Sequence, residues 1–132
     1  MQKSKFNSLI NEGYNHIPLS KEVVIDTATP LALYLKLANN PYSYFLESVQ
    51  GGEKWGRYSF IGLAAETVIK VYNYEVQVEK NGKLIHEKLV EDPLAWIEEY
   101  QNQFKVPQLD SLPDFNGGLV GYFGYEIVRY IE

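Results

Sequence analysis

A chain of 132 residues, 45% hydrophobic and 22% charged, has the balance of a folded globular protein, and at that length a single domain with its own core is expected. Its formal net charge of -5, with no basic run, argues against nucleic acid or an anionic membrane surface as a partner. Cysteine is absent, which removes disulfides, thiolate metal sites and cysteine nucleophiles together, and no long apolar span or signal-peptide pattern opens the chain, so the expected setting is cytoplasmic.

Taken in order, Ser4 to Glu12 reads as a helix with Phe6, Leu9 and Ile10 on one face and Gly13 placed to end it. His16 to Asp26 is expected to be extended, with Pro18 suited to an edge or a strand entry. Thr29-Pro30 starts a second helix, Thr capping the free amides and Pro fitting the first turn. Leu31, Leu33, Leu35 and Leu37 make that helix apolar on most sides, so burial is expected, and Asn39-Asn40-Pro41 ends it. Pro41 to Leu63 follows as two aromatic strands, around Tyr44-Phe45 and Tyr58 to Ile61, joined by a polar loop containing Gly51-Gly52. Thr67 to Lys80 alternates, but its apolar positions change from odd to even, which predicts a bulge or turn near Val71-Tyr72-Asn73. Asn81-Gly82 predicts a two-residue type I′ hairpin that sets Val78 opposite Ile85.

Asp92-Pro93 starts another helix, with Leu94, Ile97, Tyr100, Gln101 and Phe104 in period, fading at Val106-Pro107. Gln108 to Asn116 is a loop. The glycines of Gly117 to Tyr125 point to a strand in close contact with its neighbours, and Glu126 to Glu132 to the start of a helix. A chain that stops inside such a segment is expected to be a piece of something longer. The sum is an α+β fold: a largely antiparallel sheet with about three to four packed helices.

Little in this chain is equipped for catalysis. His16 and His86 lie in extended or hairpin segments away from any suggestive serine, and no metal-ligand spacing occurs, so neither a catalytic nor a metal-binding residue is assigned. The run from Gly118 to Gly124 matches neither the dinucleotide nor the phosphate-loop pattern. What remains is Glu47, Ser48, Arg57, Tyr58 and Ser59 at the ends of two predicted strands. The plain reading is a hairpin with ordinary loop charges or a structural Glu–Arg pair. The alternative is a carboxylate and a guanidinium that hold the two charges of an amino acid, with Tyr44, Leu46, Tyr58 and Phe60 as apolar walls.

Leu46-Glu47-Ser48, then Gly51-Gly52-Glu53, then Gly56-Arg57-Tyr58-Ser59-Phe60-Ile61-Gly62 resembles the N-terminal region of the anthranilate synthase component I family, whose typical run is Leu-Leu-Glu-Ser followed by Gly-Arg-Tyr-Ser-Phe-Ile-Gly. Phe45 stands in the first Leu position. Asp26-Thr27-Ala28-Thr29-Pro30 and the closing Gly117-Gly118-Leu119-Val120-Gly121-Tyr122 also look like that family's blocks, in the same order. The resemblance implies that residues 1–132 form one N-terminal regulatory domain, incomplete without a chorismate-binding catalytic domain. The whole enzyme would convert chorismate, with ammonia or with glutamine through an amidotransferase component II, to anthranilate and pyruvate, using Mg²⁺ held in that catalytic domain. This part would be inactive alone and would supply half of the tryptophan feedback site: Leu46, Glu47, Ser48, Tyr58 and Ser59, with Arg57 beside them. Two other readings stand next to it. One is the related 4-amino-4-deoxychorismate synthase component I of folate synthesis; the other is a stand-alone amino-acid-binding module.

Overall fold

The computed structural model describes residues 1–47, 58–113 and 115–131. The chain divides into two compact units: residues 24–89, and the two chain ends, 1–23 with 90–132. All the described strands lie in the first unit, as antiparallel pairs beside one helix, and the second holds helices, so the α+β class expected from the pattern is the one that forms.

In the unit of residues 24–89, helix α2 spans Pro30–Leu37. Thr29 caps it, its Oγ1 accepting from the Ala32 amide at 3.2 Å, and Pro30 takes the first turn. The expectation that this helix is buried does not hold. Ala38, just past its end, is fully buried, but Leu31, Leu35 and Leu37 are 51%, 55% and 64% exposed. The helix lays one flank against the second strand of the next pair, and these three leucines stay open. Asn40 to Ser43 then turns the chain. The Ser43 amide donates to the Asn40 carbonyl at 3.2 Å, and its hydroxyl to the same oxygen at 2.6 Å. Pro41 at the second position and Tyr42, with φ 60°, at the third are the pattern of a type II turn. Glycine or asparagine is the usual third residue; a tyrosine there costs about 1–2 kcal/mol.

Strands β1 (Tyr44–Glu47) and β2 (Ser59–Gly62) pair antiparallel, with Tyr44 opposite Gly62, Phe45 opposite Ile61, Leu46 opposite Phe60 and Glu47 opposite Ser59. Gly62 has a specific reason to be glycine. A Cβ there would lie 2.5 Å from Tyr44 Cζ and closer still to Cε1 and Cδ1, so the Tyr44 ring occupies the space a side chain would fill.

Strands β3 (Thr67–Tyr72), β4 (Glu75–Lys80) and β5 (Lys83–Leu89) form a second antiparallel sheet in the order β3-β4-β5. The phase change resolves as a turn at Asn73-Tyr74, Asn73 taking φ 54°. Asn81 and Gly82 have φ 51° and 72°, the pair of positive angles that a type I′ turn demands. The predicted Val78–Ile85 pair is wrong. Val78 faces His86 and Glu79 faces Leu84, leaving Ile85 as a bulged residue, 60% exposed. Val76 and Val78, at 0% and 3% exposure, line the buried face of β4 opposite Val71 and Ile69. The other face is polar, carrying Lys70, Glu75, Gln77, Glu79 and Glu87. There Gln77 Nε2 donates to Glu75 Oε1 and Glu87 Oε1 at 2.6 and 2.7 Å.

In the unit of the chain ends, α1 covers Lys3–Asn11, with Leu9 buried and Gly13 (φ 90°) past its end. Helix α3 covers Pro93–Asn102; Asp92 Oδ1 accepts from the amides of Leu94 and Ala95 at 2.8 and 3.0 Å. Trp96 stacks on Tyr100, Tyr100 meets Phe104 edge-on, and Phe104 meets His16 edge-on at 4.7 Å between centroids. Asn15 fastens the two chain ends: its Nδ2 donates to the Gln103 carbonyl and its Oδ1 accepts from the Lys105 amide, both at 2.7 Å.

His16 to Asp26, expected to be extended, joins no ladder, and Val24 is 81% exposed. Gly117 to Tyr125 is not a packed strand either. Nothing lies within 4 Å of where a side chain would begin at Gly117, Gly118, Gly121 or Gly124, because no described strand pairs with this segment. The helix start expected at Glu126 forms as a 3₁₀ helix over Tyr125–Tyr130, with Arg129 paired to Glu126.

Candidate functional site

Of the six site residues expected from sequence, Leu46, Glu47, Tyr58 and Ser59 lie within the described structure; Ser48 and Arg57 fall outside the described residues. The first four gather at one end of the β1–β2 pair. Alternation along the strands divides them between two faces. Tyr44, Leu46, Tyr58 and Phe60 share one face: Leu46 is 48% and Tyr58 57% exposed, and the Tyr58 and Phe60 rings stack 6.1 Å apart. These are the four residues expected as apolar walls. Phe45, Glu47, Ser59 and Ile61 share the opposite face. There Tyr34 of α2 stacks on Phe45 at 5.6 Å, and the Ser59 hydroxyl donates to Glu47 Oε1 at 3.4 Å.

The exposed Glu47 carboxylate, a hydroxyl beside it and an aromatic face around the strand edge make a one-sided site. It offers a partner for a cation and an apolar surface for a ring or alkyl group. A depression of about 580 Å³ lined by Gln108, Leu109, Asp110, Leu112, Pro113 and Asn116 contains none of these side chains. No three His, Asp or Glu side chains converge on one point among the described residues. No described helix is long and apolar enough to cross a membrane.

Sequence reading passed over a contact at the other end of this strand pair. Lys70 on β3 pairs with Glu79 on β4 at 2.6 Å, and its ammonium lies 5.6 Å from the centre of the Tyr42 ring. The hydrogen bond that Lys70 donates to Glu79, then its bond with Tyr42, holds the Lys70 pKa above the ordinary lysine value of 10.5. The local signal was Asn40-Pro41, which marks a turn as well as a helix end. Nothing local says that Tyr42 takes its left-handed position or that Lys70 reaches it.

The chain is similar along all 132 residues to anthranilate synthase component 1 of Pseudomonas putida, at 54% identity, and of Pseudomonas aeruginosa, at 53%. The corresponding protein of Neisseria gonorrhoeae is 51% identical over the same span. In each case the whole of this chain is covered but only 27% of the relative, so the chain spans about a quarter of the length of the curated relatives it matches. The matched part is their N-terminal part. No protein-family profile and no solved structure matches the chain.

Proposed function

Because the chain belongs to the anthranilate synthase component 1 family, as the N-terminal part of its members, we propose that it is the regulatory part of an enzyme that makes anthranilate and pyruvate from chorismate. The nitrogen comes from ammonia or, through a glutamine amidotransferase component II, from glutamine. Catalysis and its magnesium belong to the remainder of that protein, in the cytoplasm, and this part alone is inactive. The observation that carries the regulatory reading is the strand end where Glu47 faces Ser59 beside the open Leu46–Tyr58–Phe60 face.

Tryptophan is the effector in this proposal. Its ammonium pairs with the Glu47 carboxylate, which the Ser59 hydroxyl steadies, and its indole packs at the strand end against Tyr58, the edge of the aromatic face. Ser48 and Arg57 complete this half of the site, and the remainder of the protein supplies the other half. Inhibition follows if tryptophan binds one arrangement of the two parts better and shifts the population toward it. The names of the relatives support the tryptophan pathway over the 4-amino-4-deoxychorismate alternative.

The test uses the full-length protein. Anthranilate formation from chorismate and ammonia is followed by fluorescence with increasing L-tryptophan. Wild type should be inhibited, and Ser48→Phe should no longer respond. Inhibition of Ser48→Phe at the wild-type tryptophan concentration would overturn the assignment of the site.

A further inference from the structure

We propose that Tyr42, clamped by Lys70, is a positioning residue that fixes the register of β1 against β2 and so places Glu47 opposite Ser59. The inference rests on the effector reading above. Its starting point is an outlier: Tyr42 holds φ 60°, a conformation that a bulky side chain rarely adopts and that glycine adopts freely. Strained backbone persists where surrounding contacts over-determine it, and such residues cluster at functional sites.

Three contacts over-determine Tyr42. The Asn40–Ser43 turn is closed by the Ser43 amide and hydroxyl, and the Tyr34 hydroxyl meets Ser43 Oγ at 3.2 Å. The Tyr42 carbonyl accepts from the Ala65 amide at 3.1 Å, adding a bond beyond the paired residues of β1 and β2. The Tyr42 ring meets the Lys70 ammonium, which Glu79 holds from β4.

The site needs such an anchor. A slip of one residue between β1 and β2 would exchange the two faces, carrying Glu47 to the aromatic side and Leu46 to the polar one. A two-residue turn would prevent that slip, but residues 48–58 lie between these strands in sequence. The proposed anchor is at the opposite end, where Tyr42 meets Ala65 and Lys70. The Lys70–Glu79 pair ties that end to the three-stranded sheet, which has its own buried valines.

The experiment measures, in the full-length protein, the tryptophan concentration for half-inhibition together with kcat and KM for chorismate. Lys70→Met removes the charge and keeps the stem. Tyr42→Gly removes the ring and also relieves the turn, so its folding is favoured rather than threatened. Both should raise the half-inhibiting concentration by about fivefold or more while kcat and KM stay within about twofold of wild type. Lys70→Arg keeps the cation, and should respond like wild type. A merely structural role would predict the reverse for Tyr42→Gly, where strain relief would preserve the response. Unchanged inhibition of Tyr42→Gly overturns the proposal even if Lys70→Met does not fold. Wild type indifferent to tryptophan would remove the effector reading and this proposal together. Inhibition lost in Glu47→Gln but intact in Tyr42→Gly and Lys70→Met would remove this proposal alone.

Discussion

Gly62→Ala is the sharpest probe of the β1–β2 pair, because the structure states what the added methyl meets. Its Cβ would lie 2.5 Å from Tyr44 Cζ and nearer to two other ring atoms, well inside carbon–carbon contact distance, so the Tyr44 ring must leave its place. Overpacking of this kind costs about 1–3 kcal/mol. Replacing a strand glycine returns about 0.5–1 kcal/mol through the unfolded chain, leaving a net loss of about 1–2 kcal/mol. Hydrogen exchange of the amides of β1 and β2 in the full-length protein reads that loss directly, as roughly 5- to 30-fold faster exchange where opening is local. The control is the double variant. With Tyr44→Ala already present, the obstacle is gone and Gly62→Ala should slow exchange slightly rather than speed it. If Gly62→Ala accelerates exchange equally in both backgrounds, the Tyr44 ring is not what excludes a side chain at this position, and the reasoning fails.

Asn15→Ala removes two side-chain hydrogen bonds to the backbone of Gln103 and Lys105, exposed ones worth about 1–2 kcal/mol together, and should speed exchange around residues 103–106 without touching β3 to β5. The Lys70–Glu79 pair predicts an alkaline effect. Lys70 has its folded pKa raised above 10.5, so its contribution is whole below that pH and is lost as the pH rises through the raised value. The stability difference between wild type and Lys70→Met, followed by circular dichroism, should therefore be level from neutrality to about pH 10 and shrink above it. A difference that already disappears near pH 8 would contradict that assignment.

Features decided within a few residues were legible in the sequence. Thr29-Pro30 and Asp92-Pro93 cap their helices as expected, and Asn81-Gly82 takes two positive φ angles, because each outcome depends on chemistry inside one turn. The phase change in Thr67 to Lys80 was legible for a similar reason: strict alternation cannot survive it without a turn or bulge. The failures are all matters of what lies across from a residue. The type I′ turn starts β5 in the predicted register, yet the bulge at Ile85 intervenes after two pairs. Val76 and Val78 are held by burial, whereas every residue of β5 is exposed, so no inward side chain keeps β5 in the register of its turn. The glycines of Gly117 to Tyr125 read as close packing, but glycine density allows close approach without supplying the neighbour.

The candidate site shows the same limit from another side. Leu46 and Glu47 are adjacent in sequence and read as one motif, but a strand sends adjacent side chains to opposite faces. A ligand lying flat on the Leu46–Phe60 face cannot also pair an ammonium with Glu47, and one lying on the Glu47 face loses the aromatic wall and meets α2, whose Tyr34 already covers Phe45. Both sets of contacts are reachable only at the end of the ladder, where Glu47 and Ser59 are the last pair and Tyr58 extends beyond them. An effector that used this site would therefore touch a strand end rather than a sheet face. That geometry makes recognition at Glu47 depend on how firmly the far end is pinned, which is where Tyr42, Ala65 and Lys70 meet.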